Sequence, residues 1–119
     1  MRVLTVDDSR TILAMLRHTL VNAGFEVLQA EDGKQGLDVL KTEDVDVVIT
    51  DINMPVMDGI EFIKHVRASG QHQSLPILIL TTETSQEKRD QGKQAGGTGW
   101  IVKPFDPDKL ISVIQKVVH

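Results

Sequence analysis

Short apolar runs alternate along the chain with stretches whose apolar residues recur every three or four positions. The runs Val3–Val6, Glu26–Gln29, Val45–Thr50, Ile77–Leu80 and Gly99–Val102 are rich in β-branched residues and too short for helices, so they predict five strands. Most are apolar at consecutive positions rather than alternate ones, which predicts strands covered on both faces. Between the first two runs, Ile12, Leu13, Met15, Leu16, Leu20 and Val21 follow helical spacing, and Gly24 supplies a stop. A shorter helix is predicted between Lys34 and Lys41, with Leu37 and Leu40 on one face. Asp58 opens another, carrying Ile60, Phe62, Ile63 and Val66 and ending near Gly70. Asp106-Pro107 is a cap followed by a first-turn proline, and Leu110, Val113, Ile114 and Val117 form the inward stripe of the last helix.

The segment Ser85–Ala95 fits this scheme only weakly. It holds one apolar residue and has Gly92 inside, a propensity penalty of about 1 kcal/mol. It is predicted to be the least stable helix. Five alternations of strand and helix imply an α/β domain with a parallel sheet between two helical layers and right-handed crossovers.

In such sheets, sites form beyond the carboxyl ends of the strands. Those ends are the polar points of this sequence. The first strand runs into Asp7-Asp8, the third into Asp51, the fourth into Thr81 and the fifth into Lys103. Singly, each is an ordinary loop or cap residue. Together they put three carboxylates, a hydroxyl and an amine on one edge. Crowded carboxylates repel one another, and a divalent cation relieves the conflict. Oxygen ligands with room for water and a phosphate oxygen suit Mg²⁺. A carboxylate beside such an ion is also a nucleophile towards phosphorus, and Asp51, ending the most apolar central strand, is the best-placed acceptor.

Composition narrows the function classes. The 119 residues suffice for one domain, 1–119, and the formal charge of -4 argues against a nucleic-acid partner. The absence of cysteine excludes disulfides, thiolate metal sites and thiol catalysis. Met1 leads directly into the first strand with no signal-type segment, and no apolar run reaches membrane-spanning length, so a cytoplasmic protein is expected. His18, His65, His72 and His119 lack ligand spacing and read as surface or packing residues.

The segments VDDS, DINMPVMDG, LTTE and WIVKPF occur in this order, with Asp51 and Thr81 30 residues apart and Thr81 and Lys103 22 apart. In this the chain resembles response-regulator receiver domains over essentially its whole length. With nothing after the last helix to form an output domain, it is most similar to the stand-alone chemotaxis regulators. The resemblance implies a flavodoxin-like (βα)5 fold of strand order 2-1-3-4-5, and a sensor histidine kinase, CheA-like, that phosphorylates Asp51. It further implies that Asp8 and Asp51 ligate Mg²⁺ directly, Asp7 through water and Asn53 through its backbone carbonyl. Thr81 and Lys103 would hold phosphoryl oxygens, and Lys103-Pro104 would be a cis peptide. Thr81 and Trp100 occupy the switch positions, with Trp where Tyr or Phe is more usual. Asn53, Thr82 and Glu83 stand where access to the phosphoryl group is controlled. Thr82 is bulkier than usual, which would restrict attacking water or a phosphatase. Gly97 replaces a common Ala, which is expected to loosen the approach to the last strand.

The same resemblance implies a monomer whose fourth helix, fifth strand and fifth helix form the signalling surface. Its outputs range over a flagellar motor switch protein, a phosphate sink and onward relay. Two other classes compete. An aspartyl hydrolase commonly carries a second acid two residues after the nucleophile, where this chain has Asn53, so turnover would be limited to its own phosphorylation and slow dephosphorylation. A flavodoxin-type cofactor site would have its phosphate repelled by the three acids.

Overall fold

The computed structural model describes residues 1–118, so His119 lies outside the described residues. Five strands, β1 (Arg2–Val6), β2 (Glu26–Ala30), β3 (Val47–Thr50), β4 (Ile77–Thr81) and β5 (Gly99–Val102), form one parallel sheet ordered β2-β1-β3-β4-β5. The flavodoxin-like order implied by the resemblance is therefore present. Helices α1 (Arg10–Asn22), α2 (Gly33–Thr42), α3 (Gly59–Ala68), α4 (Gln86–Ala95) and α5 (Pro107–Val117) connect and cover the strands. The predicted third strand is shorter at its start, because Val45 lies before the paired residues.

The burial of each strand follows from its place. Every residue of β3 and β4 is buried, as is β1 after Arg2, whereas the edge strands β2 and β5 are only partly covered. Two cores lie on opposite faces of the sheet. On one, Leu40 of α2 and Ile60, Phe62, Ile63 and Val66 of α3 pack against Leu4, Val48, Ile77 and Ile79. On the other, Leu16 and Leu20 of α1 and Leu110 and Ile114 of α5 meet Val3, Val47, Ile49, Leu78 and Leu80.

Each helix starts on a side-chain cap. Ser9, Asp32, Asp58, Ser85 and Asp106 each accept a hydrogen bond from a first-turn backbone N–H. Asp58 and Asp106 are the caps that the sequence predicts. Helix α4 has Gly92 as its only buried residue, in keeping with its polar sequence. Among the described residues no helix is long and apolar enough to cross a membrane.

Candidate functional site

Strand register builds the site. Val6 pairs with Thr50, so the next residues, Asp7 and Asp51, emerge side by side at the carboxyl edge, with the Asp51 N–H donating to the Val6 carbonyl at 3.0 Å. Thr81 pairs with Val102, and the Lys103 N–H donates to the Thr81 carbonyl at 2.8 Å. Asp7, Asp51 and Lys103, from three strands, thereby meet at one point, and Thr81 ends the strand between the last two.

Asp7 is 2% exposed and Asp51 8%, while Asp8 stands at the rim, exposed. Each of the three carboxylates offers an oxygen, and these oxygens all lie within 4.8 Å of one another. Lys103 bridges the two buried acids, its Nζ 2.8 Å from Asp7 Oδ2 and 3.0 Å from Asp51 Oδ2. The opposite oxygens are held by backbone: Asp7 Oδ1 accepts from Ser9 N–H at 2.9 Å and Asp51 Oδ1 from Ile52 N–H at 2.7 Å. Both carboxylates are thus fixed at each end, which sets their orientation before any ligand arrives.

The charge balance is uneven: three acids face one ammonium. Burial pushes the Asp7 carboxyl above its ordinary range, and the hydrogen bonds from Lys103 and Ser9 only partly oppose this. For Lys103, burial acts to lower the pKa but is outweighed by the hydrogen bonds to Asp7 and Asp51, so its proton is held more tightly than usual. Burial of Asp7 and the two acid partners of Lys103 thus make both groups hold their protons more tightly than usual. The donor set is oxygen alone, with no imidazole or thiolate among it, and this fits a hard divalent cation such as Mg²⁺.

Glycine lets the surrounding loops close in. Gly59, the first residue of α3, lies against the Asp51 carbonyl, and a Cβ there would overlap that backbone. Its N–H donates to the Ile52 carbonyl at 2.8 Å, pinning the loop after Asp51. The sequence shows Asp58-Gly59 as a helix start but gives no sign of this contact. The Lys103–Pro104 peptide is cis.

The remaining candidates are less uniformly placed. Thr81 is fully buried, and its Oγ1 accepts from the Glu83 N–H at 3.2 Å. Thr82 and Asn53 are exposed at the rim. Glu83 turns its Oε1 to the Ser85 N–H at 3.1 Å, and hydrogen bonding there holds its carboxyl below the usual range. Its carboxylate is engaged at the start of α4. His18 and His65 are exposed and His72 half-buried, none of them in the acidic cluster.

Trp100 lies half-buried on the edge strand β5, packed beside the α2–α3 core, with the Arg89 guanidinium 5.8 Å from its ring centre. Its Nε1 is buried without a hydrogen-bond partner among the described residues. The ring rests against Gly92, where a Cβ would come within 3.3 Å of Trp100 and 2.7 Å of Ile79 Cδ1. Gly97, expected to loosen the approach to β5, is closely packed. A Cβ there would lie 3.0 Å from the Gly92 carbonyl and 3.1 Å from Ile79, so this glycine permits close packing of α4 on the sheet. Sequence reasoning also missed Arg67, whose guanidinium donates to the Gly96 carbonyl (2.7 and 3.1 Å) and the His72 carbonyl (2.7 Å), tying α3 to the turn after α4.

Comparison with known proteins places this geometry. The response regulator receiver domain model matches residues 3–115. A chemotaxis protein CheY homolog of Campylobacter jejuni is 42% identical over 99% of this chain and 92% of its own length. The crystal structure of Vibrio cholerae chemotaxis protein CheY4 is 52% identical, with a TM-score of 0.93 over 98% of this chain and 97% of that one. The receiver domain of the Pseudomonas aeruginosa sensor histidine kinase PA1611, solved with a magnesium ion coordinated in its active-site cleft, is 26% identical, with a TM-score of 0.91 over 98% and 96%. With a family model spanning nearly all of its residues and relatives of this similarity along its full length, the chain belongs to the response regulator receiver domain family.

Proposed function

We infer that this protein is a phosphoacceptor of two-component signalling, taking a phosphoryl group from a sensor histidine kinase onto Asp51. The observation that carries this is the Lys103 bridge between Asp7 and Asp51, with three carboxylate oxygens within 4.8 Å. Asp8 and Asp51, the Asn53 backbone carbonyl and, through water, Asp7 would hold Mg²⁺. Bound there, the ion would offset the crowded negative charge and draw a phosphoryl oxygen towards Asp51.

The chain's own residues do the rest. Backbone contacts hold Asp51 in place, so its carboxylate approaches phosphorus without reorientation. Its oxygen forms the new O–P bond as the donor's N–P bond breaks, and the imidazole leaves with the electron pair. Lys103 supplies positive charge for the transferred oxygens, and the Thr81 hydroxyl supplies a donor close by. The acyl phosphate is later lost to water, with Asn53, Thr82 and Glu83 at the approach. Trp100 and Thr81 are the residues through which the α4, β5 and α5 surface would respond.

The names of the Campylobacter and Vibrio relatives support a place in chemotaxis, with a CheA-like kinase upstream. A flagellar motor switch protein or a phosphatase would then act downstream, in the cytoplasm, on a monomeric protein. A pull-down comparing beryllofluoride-activated and unmodified protein identifies the partner. The function itself is tested with acetyl phosphate and Mg²⁺, followed by intact mass. One added phosphoryl group that is lost in Asp51→Asn and in chelator supports the proposal. An unchanged gain in Asp51→Asn overturns it.

A further inference from the structure

Thr50 is a polar residue set in an apolar layer. It ends β3, is fully buried, and pairs with Val6 of β1 and Ile79 of β4, both part of the core beneath α2 and α3. A valine has nearly the same shape and would bury there without desolvating a hydroxyl. The hydroxyl has a partner next door along the chain: Thr50 Oγ1 donates to the Asp51 carbonyl at 2.9 Å.

That carbonyl belongs to the Asp51–Ile52 peptide group, whose other end is also engaged. The Ile52 N–H donates to Asp51 Oδ1 at 2.7 Å. A peptide group is planar and turns as one body, so its carbonyl and its N–H cannot be aimed separately. Gly59 confines the same group. A Cβ at Gly59 would overlap the Asp51 carbonyl and lie 2.9 Å from Ile52 Cα. Holding the carbonyl therefore holds the N–H that orients the carboxylate.

We propose that Thr50 is a positioning residue for phosphoryl transfer to Asp51, a conclusion that rests on the receiver function proposed above. Its hydroxyl sets the tilt of the Asp51–Ile52 peptide group, and the N–H of that group holds Asp51 Oδ1. Lys103 holds Oδ2, at 3.0 Å. Thr50 itself touches neither the donor nor the transferred group. Without the hydroxyl, the peptide group is free to turn away from Gly59 and the Ile52 hydrogen bond weakens. Asp51 then meets phosphorus in a wider range of orientations, and fewer encounters are productive.

The test compares Thr50→Val, which keeps the shape and removes the hydroxyl, with Thr50→Ser, which keeps the hydroxyl and removes a methyl group. Labelling of the whole chain by acetyl phosphate at saturating Mg²⁺ should slow on the order of fivefold in Thr50→Val, the effect of losing one hydrogen bond that orients the nucleophile. Thr50→Ser should stay near the wild-type rate. If Thr50 only filled space, the valine variant would match the wild type and the serine variant would be the impaired one. The Ile52 amide proton resonance reads the hydrogen bond itself, and it should move upfield in Thr50→Val and stay close to its wild-type position in Thr50→Ser. Should Thr50→Val fail to fold, Thr50→Ala against Thr50→Ser makes the same comparison, since both lack the methyl group and only serine keeps the hydroxyl. Wild-type labelling without the hydroxyl overturns the proposal, as does equal slowing with and without it, or an unmoved Ile52 resonance. If acetyl phosphate fails to label Asp51 in the wild type, the receiver function falls and the proposal falls with it.

Discussion

Lys103 reaches across 52 residues of sequence to place its Nζ 3.0 Å from Asp51 Oδ2. The same nitrogen is 2.8 Å from Asp7 Oδ2, so one cation serves two buried acids. A metal ion drawn to these carboxylates competes with Lys103 for their negative charge. Replacing Lys103 with methionine should therefore tighten Mg²⁺ binding several-fold while slowing phosphorylation by acetyl phosphate. Isothermal titration with Mg²⁺ and a phosphorylation time course check the two halves separately.

The protonation of the site makes stability depend on pH. Burial raises the Asp7 carboxyl, so between its ordinary range and the raised value the native chain binds more protons than the unfolded one. Stability from this group therefore falls as pH rises through that window. Lys103, also raised, contributes stability that is fully present below the ordinary lysine range and is lost as pH climbs through its higher folded value. In metal-free protein, Asp7→Asn should be more stable than the wild type at neutral pH. The gap should narrow as the solution is acidified, and Mg²⁺ should narrow it at neutral pH. Urea denaturation across pH, with and without Mg²⁺, measures this.

Much of this was legible because the fold turns simple patterns into position. Consecutive apolar residues mark the buried strands, and the first polar residue after each is carried to the sheet's carboxyl edge. Asp7, Asp51 and Lys103 were findable for that reason. Contacts between elements were not. Gly92 reads in the sequence as a flaw in a weak helix, yet it makes room for Trp100 eight residues later. Gly59 against the Asp51 carbonyl and Arg67 on Gly96 likewise depend on how separate segments meet, which periodicity does not encode.

Gly92→Ala sets two effects against each other. The helix gains about 1 kcal/mol of propensity, and the new methyl group presses on Ile79 and Trp100 at a cost typically of about 1–3 kcal/mol. The closer approach is to the Ile79 Cδ1 methyl at 2.7 Å, with Trp100 at 3.3 Å and half-buried on the edge strand, so both side chains must give. The net change in stability should lie between about 0 and 2 kcal/mol of destabilisation. Trp100 is the only tryptophan, and its emission should shift to the red with stronger iodide quenching. An unshifted spectrum contradicts the packing of Trp100 against Gly92.

Helix α4 buries only Gly92, while α5 buries Leu110 and Ile114 on the sheet. Local opening is easiest where the least apolar surface is covered. Amide hydrogens of α4 should exchange at least about tenfold faster than those of α5, which corresponds to roughly 1.4 kcal/mol less protection. Hydrogen exchange read by mass spectrometry resolves the two helices, and equal protection would contradict the prediction.

The central claim is that Asp51 is the residue that takes the phosphoryl group. Borohydride reduces an aspartyl phosphate to homoserine and so records its position in the chain. After incubation with acetyl phosphate and Mg²⁺, reduction and peptide mapping should place homoserine at position 51 and at no other aspartate, with none formed in chelator. Homoserine at Asp7 or Asp8, or a phosphorylated chain with residue 51 unreduced, would contradict the account.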